Sequence, residues 1–167
     1  MKEKIVFDLE TTGLDPNNDE ILQVSIINGD GEELLNSYVR PVHVLAWPEA
    51  QHIHGITPDM VQTAPVFDEL RPRIQEIFDG AQELIAYNGT FDMGFLRTAG
   101  IKIPSVPYYD VMHEFSPIYG EWSDYFGDYK WQKLSTCAAY YGYEFQAHDS
   151  LEDVRATLYA YKQMVSQ

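Results

Sequence analysis

Apolar residues occupy alternate and intervening positions alike from Lys4 to Glu10, which predicts a strand covered on both faces at the centre of a sheet. Gly13 and the cluster Asp15-Pro16-Asn17-Asn18 end it. Glu20 to Asn28 and Glu32 to Val39 predict two further strands, joined through Asn28-Gly29-Asp30-Gly31, a strong hairpin signal. Trp47 to Gln62 reads as short helices around a turn at Gly55. Val66, Phe67, Leu70, Ile74, Ile77 and Phe78 recur at helical spacing, and Pro72 inside that pattern predicts a kink or a late start. Leu84 to Tyr87 predicts a short strand, Phe91 to Ala99 a helix ended by Gly100, and Val106 to Tyr109 a last strand before a helix from about Val111. The aromatic, acidic stretch from Glu121 to Tyr129 reads as an exposed loop. Trp131 to Tyr141 and Asp149 to Val165 read as closing helices. Three strands followed by alternating helices and strands indicate an α/β fold with a mixed sheet.

Composition narrows the class. The 167 residues suit a single domain over 1–167, and a domain of that size buries roughly 70% of its unfolded surface. Cys137 is the one cysteine, so there is no disulfide framework, and its apolar setting predicts a buried structural thiol. No apolar run approaches the roughly 18 residues of a membrane span. Met1-Lys2-Glu3-Lys4 leads straight into a strand rather than a signal peptide, so a cytoplasmic protein without a membrane partner is expected. Eleven basic against 26 acidic residues give a net charge of −15, the wrong sign for gripping a polyanion along a track. Long nucleic acid would be held weakly by such a body alone.

Candidate chemistry lies in three islands. Asp8 and Glu10 stand two apart on the central strand, so their side chains leave the same face, where two carboxylates repel unless a cation lies between them. The alternative is a solvated strand edge, which the flanking Phe7 and Leu9 argue against. Asp92 follows Asn88-Gly89-Thr90-Phe91 in the first turn of a helix, where an ionised carboxylate is favoured. In the third island Asp149 is an N-cap with Glu152 three residues on, a variant capping box that places Asp153 just inside the helix and His148 just outside. The positive helix end favours neutral imidazole, so His148 is available as a base. His43, His52 and His113 read as surface-loop histidines. Asp8, Glu10, Asp92 and Asp153 thus form an all-oxygen site for two Mg²⁺ (or Mn²⁺), the equipment for metal-assisted phosphodiester hydrolysis.

The islands resemble the motifs of the DnaQ-like 3′–5′ exonucleases of the DEDDh type. Asp8-x-Glu10 with Thr12-Gly13-Leu14, Asn88-x-x-Phe91-Asp92, and His148 with four intervening residues before Asp153 match in order, and His54-Gly55-Ile56 matches an intermediate stretch. The resemblance implies a ribonuclease H-like fold with a mixed five-stranded sheet in the order 3-2-1-4-5, flanked by helices. It implies one ion on Asp8, Glu10 and Asp153, a second on Asp8 and Asp92, and His148 as general base. Thr11 and Thr12 are then expected near the terminal 3′-hydroxyl, Leu14 as a wedge on the last base step, and His54 and Phe91 along the terminal base. For Leu14 and Phe91 plain core packing is the alternative, and Asn88 either touches substrate or caps its helix. The implied substrate is a single-stranded nucleic-acid 3′ end, giving nucleoside monophosphates, with a DNA polymerase as a partner that would hold long DNA. DNA is the first expectation, short RNA the second, and a non-catalytic nucleic-acid-binding module the third. Asp149-Ser150 departs from the Arg-Ala or Asn-Ala often found after the histidine.

Overall fold

The computed structural model describes residues 3–167, so Met1 and Lys2, part of the expected entry into the first strand, lie outside the described residues. Five strands form one sheet: β1 (Lys4–Thr11), β2 (Ile21–Asn28), β3 (Glu33–Tyr38), β4 (Glu83–Ala86) and β5 (Tyr108–Asp110). Their order is β3-β2-β1-β4-β5, with β2 antiparallel to β1 and β3, and β4 and β5 parallel to β1 and to each other. This is the expected mixed sheet of the ribonuclease H-like fold. The β2–β3 turn closes as predicted. The Asn28 side chain accepts the amides of Asp30 and Glu32, and Gly31 takes a φ of 92° that other residues rarely adopt.

The helices are α1 (Pro48–His54), α2 (Pro58–Val61), α3 (Phe67–Gly80), α4 (Gly89–Thr98), α5 (Val111–Tyr119), α6 (Leu134–Tyr140) and α7 (Ser150–Val165). Strand β1 feeds both layers of core by alternation. Ile5, Phe7 and Leu9 join Ile74 and Phe78 of α3 and Leu96 of α4 on one face. Val6 joins Ile27, Ile85 and Val154 of α7 on the other. Burial of this kind is worth roughly 25 cal/mol per Å² of apolar surface, so the two-sided strand anchors the domain.

Three expectations change on contact with the structure. Pro72 neither delays nor interrupts α3, which starts five residues earlier and runs through it. The buried face of Ile74, Ile77 and Phe78 outweighs the lost amide donor, about 3 kcal/mol in a helix without such support. The segment from Glu121 to Tyr129 is not a plain loop. Trp122–Ser123 (β6) and Asp128–Tyr129 (β7) pair as a small antiparallel hairpin outside the main sheet. His52 and His113 lie on helices α1 and α5 rather than loops, although both are exposed as expected.

Candidate active site

The face of the sheet beneath α7 is apolar at one end and polar at the other. Past Val6 and its partner Ile27, the register places Asp8 opposite Ser25 and Glu10 opposite Gln23, with Asn36 of β3 opposite Ser25. All five polar residues share that face. A register shift between Glu10 and Thr11 ends the pairing at this rim, a common place for such irregularity beside a site. Asp8 Oδ2 is buried and meets no donor, and neither does Gln23 Oε1. A buried, unpartnered carboxylate oxygen is costly unless a cation faces it.

Helix α7 brings the third island onto this stripe by crossing β1 and β2. Its N-cap is Asp149, whose Oδ1 accepts the amides of Leu151 and Glu152. The capping box is only half made, because the Glu152 carboxylate pairs with Arg155 at 3.1 Å instead of reaching back. Ser150 is fully buried and its hydroxyl meets that of Ser25, which in turn donates to Asn36 Oδ1 at 3.0 Å. This three-residue chain pins the start of α7 to β2 and β3, at the position that pairs with Asp8. Asp153 accepts the His148 amide at 3.2 Å, and His148 takes a left-handed φ of 72° to make that turn. Oxygens of Asp8, Glu10 and Asp153 all lie within 4.8 Å of one another. His148 is exposed, and its ring is outside that group.

The second island enters from the opposite layer. Asp92, 3% exposed, sits in the first turn of α4 against β1. It is outside the 4.8 Å group, yet its charge is the strongest neighbouring influence on Asp8. Asn88 makes no side-chain cap; it adopts φ 61° and donates its amide to Asp110 Oδ1 at 3.1 Å. The Gly89 amide donates to the Tyr108 hydroxyl at 2.9 Å, which donates to Asp110 Oδ2 at 2.6 Å. A Cβ on Gly89 would collide with that hydroxyl and with Ala86. Tyr108 and Asp110 therefore brace the turn that delivers Asp92. Neither pair, Tyr108–Asp110 or Ser25–Ser150, was named from sequence. Asp110 before a helix carried only the signal of an ordinary N-cap.

His54 approaches from α1. Its Nδ1 accepts the Ile56 amide at 3.1 Å, so Nε2 carries the proton and donates to the Thr11 carbonyl at 3.0 Å. Burial first, and then the nearby His148, lower its pKa, which keeps the ring neutral. The Thr11 hydroxyl donates to the Gly13 carbonyl at 2.6 Å. The Thr12 hydroxyl donates to Asp19 at 3.1 Å and accepts the Glu20 amide at 2.9 Å, while the Thr12 amide goes to the Glu20 carbonyl. Both threonine side chains are thus spent on shaping the loop after β1. Leu14 on that loop is 83% exposed and has no core role. Phe91 is half-buried with its ring 5.1 Å from that of Phe95. A cavity of about 590 Å³, lined by Arg40, Arg71 and the loop from Pro16 to Glu20, includes none of the carboxylates Asp8, Glu10, Asp92 and Asp153.

All four carboxyls are pushed above their ordinary range, in each case by burial first. Asp92, Glu10 and Asp153 add to this at Asp8. Glu10 rises to about 9, with Asp153 the leading neighbour. The Leu9 amide opposes the rise at Asp92, and the His148 amide opposes it at Asp153, which reaches about 7. The sign for stability follows. From about pH 4, where unfolded carboxyls titrate, up to about pH 9, the metal-free native state binds more protons than the unfolded chain, so its stability falls as pH rises. In EDTA the melting temperature should drop between pH 5 and pH 8, and Mg²⁺ should restore more at pH 8, where protons compete less. A melting temperature that climbs with pH in EDTA would contradict the clustering.

The fold and this acidic centre define a nuclease of the ribonuclease H-like superfamily, and the sequence comparison completes the assignment. Residues 5–161 match the RNase T family of exonucleases, so the chain belongs to this DnaQ-like family of metal-dependent exonucleases. It is 32% identical over 169 residues to exonuclease CP81 of Escherichia phage 186, covering 93% of this chain and 84% of that one. It is 31% identical over 171 residues to the PolC-type DNA polymerase III of Bacillus subtilis strain 168, covering 96% of this chain but 11% of the polymerase. Exonuclease I of E. coli, solved with a dA16 oligonucleotide, superposes with a TM-score of 0.78 at 22% identity, over 99% of this chain and 41% of that one. The chain therefore spans less than half of the solved exonuclease and about a tenth of the polymerase. Among the described residues no helix is long and apolar enough to cross a membrane.

Proposed function

We propose that residues 1–167 form one 3′–5′ exonuclease domain that releases nucleoside monophosphates from single-stranded DNA ends, with two Mg²⁺ (or Mn²⁺) and His148 as general base. The observation that carries this reading is the orphaned Asp8 Oδ2 on a residue whose carboxylate clusters with those of Glu10 and Asp153. Hard divalent cations fit an all-carboxylate donor set, whereas zinc favours nitrogen and sulfur. Asp8, Glu10 and Asp153 would hold one ion, and Asp8 with Asp92 the other. Ions bound there would supply charge neutralisation at the phosphate oxygens and acidify the attacking water.

The chain's own groups do the rest. The His148 imidazole takes the proton from the attacking water; the residue's αL turn, just outside the helix, lies next to Asp153 through its amide. The Ser25–Ser150 contact keeps that turn in register with Asp8. His54, with both ring nitrogens committed, offers its ring to the terminal base together with Phe91, and Leu14 wedges the step behind. With the Thr11 and Thr12 hydroxyls occupied, contacts to the 3′-hydroxyl from this loop fall to backbone groups that the loop leaves free. Asn88, freed from capping, has its amide side chain for the substrate.

DNA is preferred because the solved Exonuclease I carries a DNA oligonucleotide and the relatives include DNA polymerases. The net charge of −15 supports the second reading, short RNA, because it disfavours long tracks. It also supports a polymerase or other basic partner for work on long DNA. The lone buried thiol Cys137 accords with a cytoplasmic setting. Matched twelve-residue DNA and RNA strands decide between substrates. DNA should lead by about tenfold or more in kcat/KM, a margin a hydroxyl-sensitive sugar site reaches readily. RNA turned over faster than DNA would transfer the assignment to the short-RNA reading.

A further inference from the structure

We propose that the β6–β7 hairpin is a base-stacking arm that holds single-stranded nucleotides upstream of the 3′ end in the site; this rests on the substrate reading above. Five of the thirteen residues from Glu121 to Lys133 are aromatic. At the tip, Tyr125 is 89% and Phe126 76% exposed, their rings edge to face at 4.9 Å. Trp122 and Tyr129 pair across the ladder at 5.2 Å, which supports a two-residue hairpin too short to hold by backbone bonds alone. The tip rings serve no such purpose. A contiguous exposed aromatic surface of this kind marks an interaction site.

Its root is tied to the active-site rim. Trp131 stacks on His113 of α5 at 5.1 Å, and the Tyr87 hydroxyl donates to the Gln132 carbonyl at 2.6 Å. Tyr87 immediately precedes Asn88 and the helix bearing Asp92. The root of the arm is therefore bonded to the connection between β4 and α4 that carries the second island.

Charge identifies the occupant. Most of the protein repels phosphates, but residues 121–133 carry Glu121, Asp124 and Asp128 against Lys130 and Lys133, and Glu121 is paired with Lys130 at 3.0 Å. The arm is a nearly neutral stretch of a strongly acidic molecule. A chain that cannot collect phosphates by counterion release still has the faces of unpaired bases to hold, and aromatic rings stack on these whatever the sequence. Duplex hides those faces, so the arm also selects single strands.

The test compares wild type with Tyr125→Ala/Phe126→Ala and with Tyr125→Leu/Phe126→Leu, which keeps apolar bulk but removes the rings. Substrates are the p-nitrophenyl ester of thymidine 5′-monophosphate, a twelve-residue oligothymidylate, and the same strand with abasic sites upstream of its two 3′-terminal residues. Both variants should raise KM for oligothymidylate about tenfold or more, with kcat and ester hydrolysis unchanged. The wild type should lose the same factor on the abasic strand. An unchanged KM in both variants would overturn the arm and leave the surface to a protein partner; an unchanged KM in the leucine variant alone would overturn stacking. Oligothymidylate should also quench the fluorescence of Trp122 and Trp131 in Ca²⁺, where turnover is not needed. Quenching in a wild type inactive on every substrate would uphold the arm while refuting the exonuclease reading.

Discussion

Asp8→Asn is expected to lower single-strand hydrolysis by about 10³-fold or more, since several kcal/mol of charge stabilisation depend on this carboxylate. Asp8 is the residue shared by both proposed ions, and its Oδ2 has no other partner. The same change should stabilise the metal-free protein. Burial and four neighbouring acids press on Asp8, and neutralising it at constant volume relieves them. A gain of about 1 kcal/mol corresponds to roughly 2–4 °C in a domain of this size. Saturating Mg²⁺ should then raise the melting temperature of the wild type but hardly that of the variant. Asp153→Asn should behave alike, with a smaller stability gain because its carboxylate also receives the His148 amide. Wild-type turnover by purified Asp8→Asn would remove the basis for a metal centre here.

His148→Ala is expected to cost about 10²- to 10⁴-fold in kcat, the range for a positioned general base. Its ring lies outside the oxygen cluster, so the Mg²⁺-induced rise in melting temperature should survive intact. That pairing separates a base from a ligand. If the variant lost the Mg²⁺ response together with activity, His148 would have to be counted as a ligand. Full activity would move proton transfer elsewhere, and His54 is not a ready substitute, because its Nδ1 and Nε2 are both engaged.

Much of this site was legible in the chain because its parts are local. Asp8 and Glu10 declare a shared face by a spacing of two, and Asp149 announces the helix that begins at Ser150. The order of the five strands came from family resemblance and not from periodicity, which says nothing about neighbours. What was not legible depends on pairings between distant segments. Ser25 and Ser150 are separated by 125 positions, and only the register of β1, β2 and α7 makes two ordinary serines into a brace. Tyr108 reads as one aromatic among twelve tyrosines until β5 brings its hydroxyl under Gly89. Glu152 looked like half of a capping box, but Arg155 one turn later offered it a closer charge. Local chemistry predicted the competitors without ranking them. The hairpin at Glu121–Tyr129 escaped for another reason: strands of two residues are shorter than any period they could display.

The most direct measurement follows a 5′-labelled single-stranded DNA with a free 3′-hydroxyl, in Mg²⁺ and then in excess EDTA. The account predicts a ladder that shortens one nucleotide at a time from the 3′ end, its arrest by EDTA, and resistance of the same strand when a 3′-phosphate blocks it. Label released as the first mononucleotide, or a covalently closed circle cut at a comparable rate, would contradict it.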